Sequence, residues 1–234
     1  MNLFSLVLYV VVMFRVACSL RAGVLRSSRG LGTAVRAIQP SLGDAASTTS
    51  SARKPIILLD VDGVINMFEN HAGRTGEWTD VSKGLAYNTE RGCNYEVKFS
   101  KEMISCVNAW NKVAEVKWLT TWNDEAQTQV APVMGLDHFE CARTFKLQED
   151  LDEEEKAKMA VRVAKDVGDD TLIIWIDDDM RWFLKRSEES PIFKRPNTLL
   201  LGPAGLLTKA DIELVNACLA DPLMWRGKHL RRGF

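Results

Sequence analysis

The pattern that most constrains this chain is an apolar run cut off by acids, and it occurs twice. Ile56-Ile57-Leu58-Leu59 leads into Asp60-Val61-Asp62-Gly63, and Thr171-Leu172-Ile173-Ile174-Trp175-Ile176 leads into Asp177-Asp178-Asp179. A short run with no polar alternation predicts a strand buried on both faces, here over Ile56–Val61 and Thr171–Ile176. Such strands need helices above and below them, which implies a parallel sheet in an α/β fold. Ligand sites in open α/β sheets lie just beyond the carboxyl ends of the strands, where both acid clusters fall.

Strand alternation directs Asp60 and Asp62 to the same side. Two like charges so close require a counter-charge, and hard oxygen donors suit Mg²⁺. The competing reading is a polar turn, because Asp-Gly is a common turn pair. Three consecutive acids after the second strand are harder to explain as turn chemistry. If the two strands are parallel neighbours, Asp60, Asp62, Asp177 and Asp178 share a pocket that repels itself without a cation.

The segments between them alternate in character. Residues 66–98 contain Gly73, Gly76, Gly84 and Gly92 and read as a long loop or small hairpin over the end of strand one. His71 and Arg74 within it could touch a phosphate, but a solvated loop is the favoured reading for each. Ser100 is an N-cap for a helix whose Met103, Ile104, Val107 and Trp110 recur at helical spacing. A second strand, Val116–Leu119, ends in Thr120-Thr121-Trp122-Asn123, followed by a helix from Glu125 to Val130. Hydroxyls and helix N–H groups there suit an anion, or simply cap the helix. Asp150–Glu155 opens a helix over Asp152–Val167 and reads as a solvated, dipole-complementing face. A fourth strand, Thr198–Leu201, precedes a helix opened by the capping pattern at Thr208–Asp211. The order predicts a doubly wound, Rossmann-like, mostly parallel sheet over residues 53–225, with 226–234 as a loose basic tail.

Charge is unevenly spread. Residues 1–52 hold five arginines against Asp44 alone, and the remainder holds 25 basic and 30 acidic side chains. A net-acidic folded part argues against nucleic acid as the favoured partner, since phosphate-backbone binders carry basic patches. Phe4 to Phe14 is nearly all apolar but short for a membrane span, and Val16-Ala17-Cys18 resembles a small-residue cleavage site. Residues 21–52 are rich in Arg, Ser and Ala, as transit peptides are. A plastid, mitochondrial or endomembrane address is expected, with membrane contact only through this segment where it stays uncleaved. The five cysteines are scattered, without a Cys-x-x-Cys pair, and suggest neither a zinc site nor a disulfide framework.

Asp60-Val61-Asp62-Gly63, Trp118-Leu119-Thr120-Thr121, an early-helix lysine and Trp175-Ile176-Asp177-Asp178 occur in an order that resembles the haloacid dehalogenase superfamily of phosphohydrolases. With Val64-Ile65-Asn66 and Gly205-Leu206-Leu207-Thr208, the chain is similar to the branch with small or no caps, which includes domains associated with RNA-repair proteins. The resemblance covers residues 55–220 or so. It implies Asp60 as nucleophile forming an aspartyl-phosphate, and Asp62 as general acid and base. It implies Thr120, then Thr121, as phosphate ligands, and Lys158, then Lys156, as the neutralising lysine. It further implies Mg²⁺ held by Asp60, Asp177 and Asp178, with the Asp62 carbonyl completing the set. The expected activity is hydrolysis of a phosphomonoester, the phosphorylated substrate being either a small metabolite or a nucleic-acid (RNA) end. A binding module that keeps the fold without catalysis is the third reading, and the paired Asp60 and Asp62 weigh against it.

Overall fold

In the computed structural model, residues 53–67, 77–142, 153–186, 189–225 and 227–233 are described. Residues 1–52, where a targeting segment is expected, and His71, Arg74 and Asp150–Asp152 lie outside them. In chain order the strands and helices are β1 (Ile56–Leu59), β2 (Val81–Asn88), β3 (Cys93–Ser100), α1 (Lys101–Val113) and β4 (Glu115–Trp118). A π-helical turn, Ala126–Val130, then runs into α2 (Ala131–Met134). There follow β5 (Glu140–Cys141), α3 (Glu153–Val167), β6 (Ile173–Ile176), α4 (Met180–Arg186), β7 (Thr198–Leu201), α5 (Lys209–Ala220) and β8 (His229–Arg232). All belong to one unit, Ser50–Phe234. Among the described residues no helix is long and apolar enough to cross a membrane.

Six strands form one sheet in the order β5-β4-β1-β6-β7-β8, every neighbouring pair parallel. With the separate β2–β3 hairpin set aside, this is the order 3-2-1-4-5-6 of a Rossmann-like sheet, and the direction of progression reverses at β1. Alternation along the strands divides the core in two. Ile57, Leu59, Ile174, Ile176, Leu199 and Leu201 pack with α1, α5 and the hairpin. Ile56, Leu58, Ile173, Trp175 and Leu200 pack with α3 and α4. Each fully buried aliphatic side chain contributes roughly 1.5–3 kcal/mol, so a strand with both faces covered tolerates no polar residue until it leaves the sheet. The acids therefore begin where the strands end.

The hairpin replaces the alternative of a long loop, with β2 and β3 paired antiparallel from Val81–Ser100 to Asn88–Cys93. Ser100 caps α1, its Oγ accepting from Met103 N at 3.1 Å while donating to Asp80 Oδ1 at 2.6 Å. Thr208 and Asp211 form the expected capping box on α5. The expected helix from Glu125 is π-helical before it becomes α2, where Pro132 has no N–H to continue the ladder.

Two sheet strands differ from expectation. β5 is a two-residue edge strand beside β4. The basic tail is not a loose end: His229–Arg232 pairs with β7, and Arg232 Nε meets Asp211 Oδ1 at 3.0 Å. Strand alternation of Arg and His with Leu230 is too short a signal to separate from a charged tail. None of the four described cysteines forms a disulfide.

Candidate active site

The site grows from the two strands on either side of the reversal point. The backbone of Asp60 continues the ladder, its N–H donating to Ile176 O at 3.1 Å, and Asp177 N does likewise to Leu201 O at 3.1 Å. By alternation Asp60 follows Leu58, and Asp177 follows Trp175, onto the face covered by α3. There the ammonium of Lys156 donates to Asp60 Oδ2 at 2.7 Å and to Asp177 Oδ2 at 3.0 Å. Lys156 also lies over the Phe183 ring, 5.9 Å from its centre. All three charged groups are buried. Asp177 is oriented further by Asp179 N, which donates to its Oδ1 at 3.1 Å.

Asp178 completes a group of three carboxylates, with Asp60 and Asp177, whose ligand oxygens lie within 4.8 Å of one another. Its close neighbour is Gly63. A Cβ at position 63 would stand 2.0 Å from Asp178 Oδ2, and the backbone there has φ +70°, so only glycine fits. Burial, followed by the charges of Asp60 and Asp179, raises the Asp178 carboxyl to about 7. Burial also pushes Asp177 well above the ordinary carboxyl value, against the pull of Lys156 and with the push of Asp60 and Asp178. For Lys156 burial favours the neutral amine, but the charges of Asp177 and Asp60 outweigh it and keep the ammonium. With all three carboxylates ionised, the group and its one ammonium carry a net charge of −2, which is what the upward shifts of Asp177 and Asp178 oppose. A divalent cation matches this in charge. Three carboxylates offer hard oxygen donors that could hold such a cation.

Asp62 is beside this group but not part of it. β1 stops at Leu59, and the chain turns as Ile65 N and Asn66 N donate to Val61 O at 3.0 and 2.8 Å. Asn66 Nδ2 donates to Asp62 Oδ1 at 2.6 Å and Trp122 Nε1 to Asp62 Oδ2 at 2.8 Å. Burial raises the Asp62 pKa, the Asn66 hydrogen bond lowers it, and the Asp60 charge raises it again, with a net upward shift. The expectation that alternation directs Asp60 and Asp62 to one side rests on a strand running to Val61, whereas β1 ends at Leu59. The Leu207 N–H donates to Val64 O at 2.9 Å, so the Gly205–Thr208 stretch props this turn from outside.

The two hydroxyls at the end of β4 separate. Thr120 is buried, its Oγ1 accepting from Trp122 N at 3.4 Å, while Thr121 is exposed. Asn123, with φ +51°, closes the turn by donating its N–H to Thr120 O at 3.2 Å.

Lys158 requires correction. It lies on the exposed side of α3, and its Nζ donates to Glu155 at 2.8 Å. Lys156 occupies the place assigned to it, because it falls three and four residues before Met159 and Ala160 on the buried stripe. That spacing was present in the sequence and identifies the lysine that faces the sheet. Asn66 and Trp122 were not singled out as site residues. A polar residue four positions after Asp62 was the available signal for Asn66, whereas Trp122 reaches Asp62 only through the tertiary fold. No protein-family model, no curated protein and no solved structure matches the chain.

Proposed function

We propose that the chain is a Mg²⁺-dependent phosphomonoesterase of the haloacid dehalogenase type, working through an aspartyl-phosphate on Asp60. One observation carries this reading. Asp60, Asp177 and Asp178 converge at the reversal point of a parallel sheet, with Lys156 bridging Asp60 and Asp177. Asp60, Asp177 and Asp178 would hold the cation, with the Asp62 carbonyl added by the resemblance. When bound, the cation supplies charge neutralisation for a phosphoryl group approaching these acids.

The remaining work falls to the chain. Lys156 fixes the Asp60 carboxylate and offers positive charge beside the incoming phosphate. Thr120 accepts from Trp122 N, which leaves its O–H to donate to a phosphate oxygen. An Asp60 oxygen attacks phosphorus, and the bonding pair of the ester P–O bond leaves on the alcohol oxygen. Protonated Asp62 gives that oxygen its proton. Water then attacks the aspartyl-phosphate, Asp62 takes a proton from it, and Asp60 is released with inorganic phosphate.

The test is hydrolysis of an aryl phosphate by the full chain, with and without Mg²⁺. Turnover is expected to require the metal and to vanish in Asp60→Asn. A wild-type protein that is inactive with Mg²⁺, Mn²⁺ and Co²⁺ across aryl phosphates, sugar phosphates, nucleotides and phosphorylated RNA ends refutes the reading. The same panel identifies the substrate class.

A further inference from the structure

Asp62 carries a donor on each of its two oxygens, and both donors are traceable to the hairpin. The Asn66 amide is fixed in orientation, because its Oδ1 accepts from Lys98 N of β3 at 2.8 Å. Met67 N donates back to Lys98 O at 2.9 Å, so the turn is stitched to β3 on both sides. The Trp122 ring meets the Tyr95 ring of β3 edge-on, with centres 5.8 Å apart and planes at 83°. Tyr95 in turn accepts from Arg91 Nη1 through its hydroxyl at 3.2 Å. The hairpin is itself bound to the segment that carries Trp122. Thr89 N donates to Glu125 Oε1 at 2.9 Å, and its hydroxyl donates to the same oxygen. Gly84 packs so closely on Val133 that a Cβ would stand 2.2 Å from Cγ1.

We propose that Trp122 and Asn66 are positioning residues, a two-armed clamp that aims the Asp62 carboxyl at the leaving oxygen. This rests on the phosphomonoesterase reading of the site. The packing of Trp122 does not need its N–H, since a buried aromatic ring fills the same space without one. The N–H serves only Asp62. Both arms are neutral, so they orient the group while adding no charge beside the clustered acids. A carboxyl free to rotate loses the alignment that proton transfer demands, and general acid catalysis contributes roughly 10²–10⁴-fold.

The demand for a proton depends on the leaving group. A nitrophenolate departs as a stable anion, whereas an alkoxide departs only as the P–O bonding pair receives a proton from Asp62. Withdrawing one arm of the clamp therefore acts unequally on the two substrates. A loss of packing or of metal slows both alike.

The experiment compares kcat/KM of the full chain and its Trp122→Phe variant for p-nitrophenyl phosphate and for a simple alkyl phosphate, at saturating Mg²⁺, because kcat/KM reports the first phosphoryl transfer and not the hydrolysis of the aspartyl-phosphate that both esters share. The expected result is a fall in alkyl kcat/KM of roughly ten- to a hundredfold, against at most about threefold for the aryl ester. Asn66→Ser withdraws the other arm and is expected to shift the ratio in the same direction. It also carries the test if Trp122→Phe does not fold, which aryl turnover on the same sample reports. An unchanged alkyl-to-aryl ratio in an active variant overturns the clamp and leaves the phosphatase reading standing. A wild type inactive on both esters overturns both.

Discussion

Asp178→Asn is expected to make the metal-free protein more stable while removing its response to Mg²⁺. Asp178 faces Asp60 and abuts Gly63, and its carboxyl is raised from an ordinary 3.8 to about 7 by burial first and by the neighbouring acids second. A native-state pKa above the unfolded one means that the native protein keeps a proton that the unfolded chain has lost. Stability therefore falls as pH rises from about 4 through 7, and the whole deficit is present above 7. That deficit is at most about 4 kcal/mol, from a 3.8-to-7 displacement at 1.36 kcal/mol per tenfold step. Water on the open side of this partly buried group screens the repulsion, and about 1–2 kcal/mol is the expected gain. Asparagine matches aspartate in shape and carries no charge, so it enters the same space beside Gly63. The assay is urea unfolding in EDTA at pH 8.0 and pH 5.5, followed by thermal melts with added Mg²⁺. The gain is expected to be larger at pH 8.0 than at pH 5.5. Wild type is expected to gain melting temperature with Mg²⁺, and the variant to gain little. An Asp178→Asn protein that is no more stable than wild type at pH 8.0, or whose gain does not shrink at pH 5.5, refutes the electrostatic account.

Other substitutions probe the remaining supports. Lys156→Met leaves Asp60 and Asp177 buried without a counter-charge and is expected to cost about 3–5 kcal/mol in urea unfolding of the metal-free protein. Lys158→Met, on the exposed side of the same helix, is expected to change stability by less than about 0.5 kcal/mol, and equal effects would overturn the assignment of Lys156. Gly63→Ala places a Cβ against Asp178 at a left-handed backbone position, so a loss of about 2 kcal/mol or more and of Mg²⁺ binding measured by calorimetry is expected. Trp175 carries a buried indole N–H with no hydrogen-bond partner while stacking on Phe183 and Phe193. Trp175→Phe is expected to cost less than Trp118→Phe, which breaks the 3.2 Å bond to Gln127, when both are compared by thermal melting.

The residues that could be read from the sequence are those whose role follows from position along a strand or helix. β1, β6 and β7 announce themselves because burial on both faces leaves no room for polar alternation, and the acids mark where each of the first two ends. β5 and β8 lie at the sheet edges, where half-exposed strands carry Glu, His and Arg and resemble loops. The same logic divides the site. Asp60, Asp177 and Asp178 follow from strand ends, and Lys156 follows from helical spacing once the apolar stripe is taken to include Met159. Trp122 does not follow from any period, because its partner Asp62 lies sixty residues earlier and meets it only after the hairpin has folded over the turn. The turn after Leu59 is likewise set by Asn66 and β3, not by the apolar run that precedes it.

The central place of β1 in the sheet also bears on folding kinetics. Its neighbours β4 and β6 begin at Glu115 and Ile173, so neither pairing is local in sequence. Asp60 and Asp177 become adjacent only after the longest of these loops has closed, a late and slow event for sheets built from distant strands. A cation that needs both carboxylates has little to bind in the transition state for folding. It should retard unfolding and scarcely change the refolding rate, so that metal enters as a lock on the finished sheet rather than as a template for its assembly.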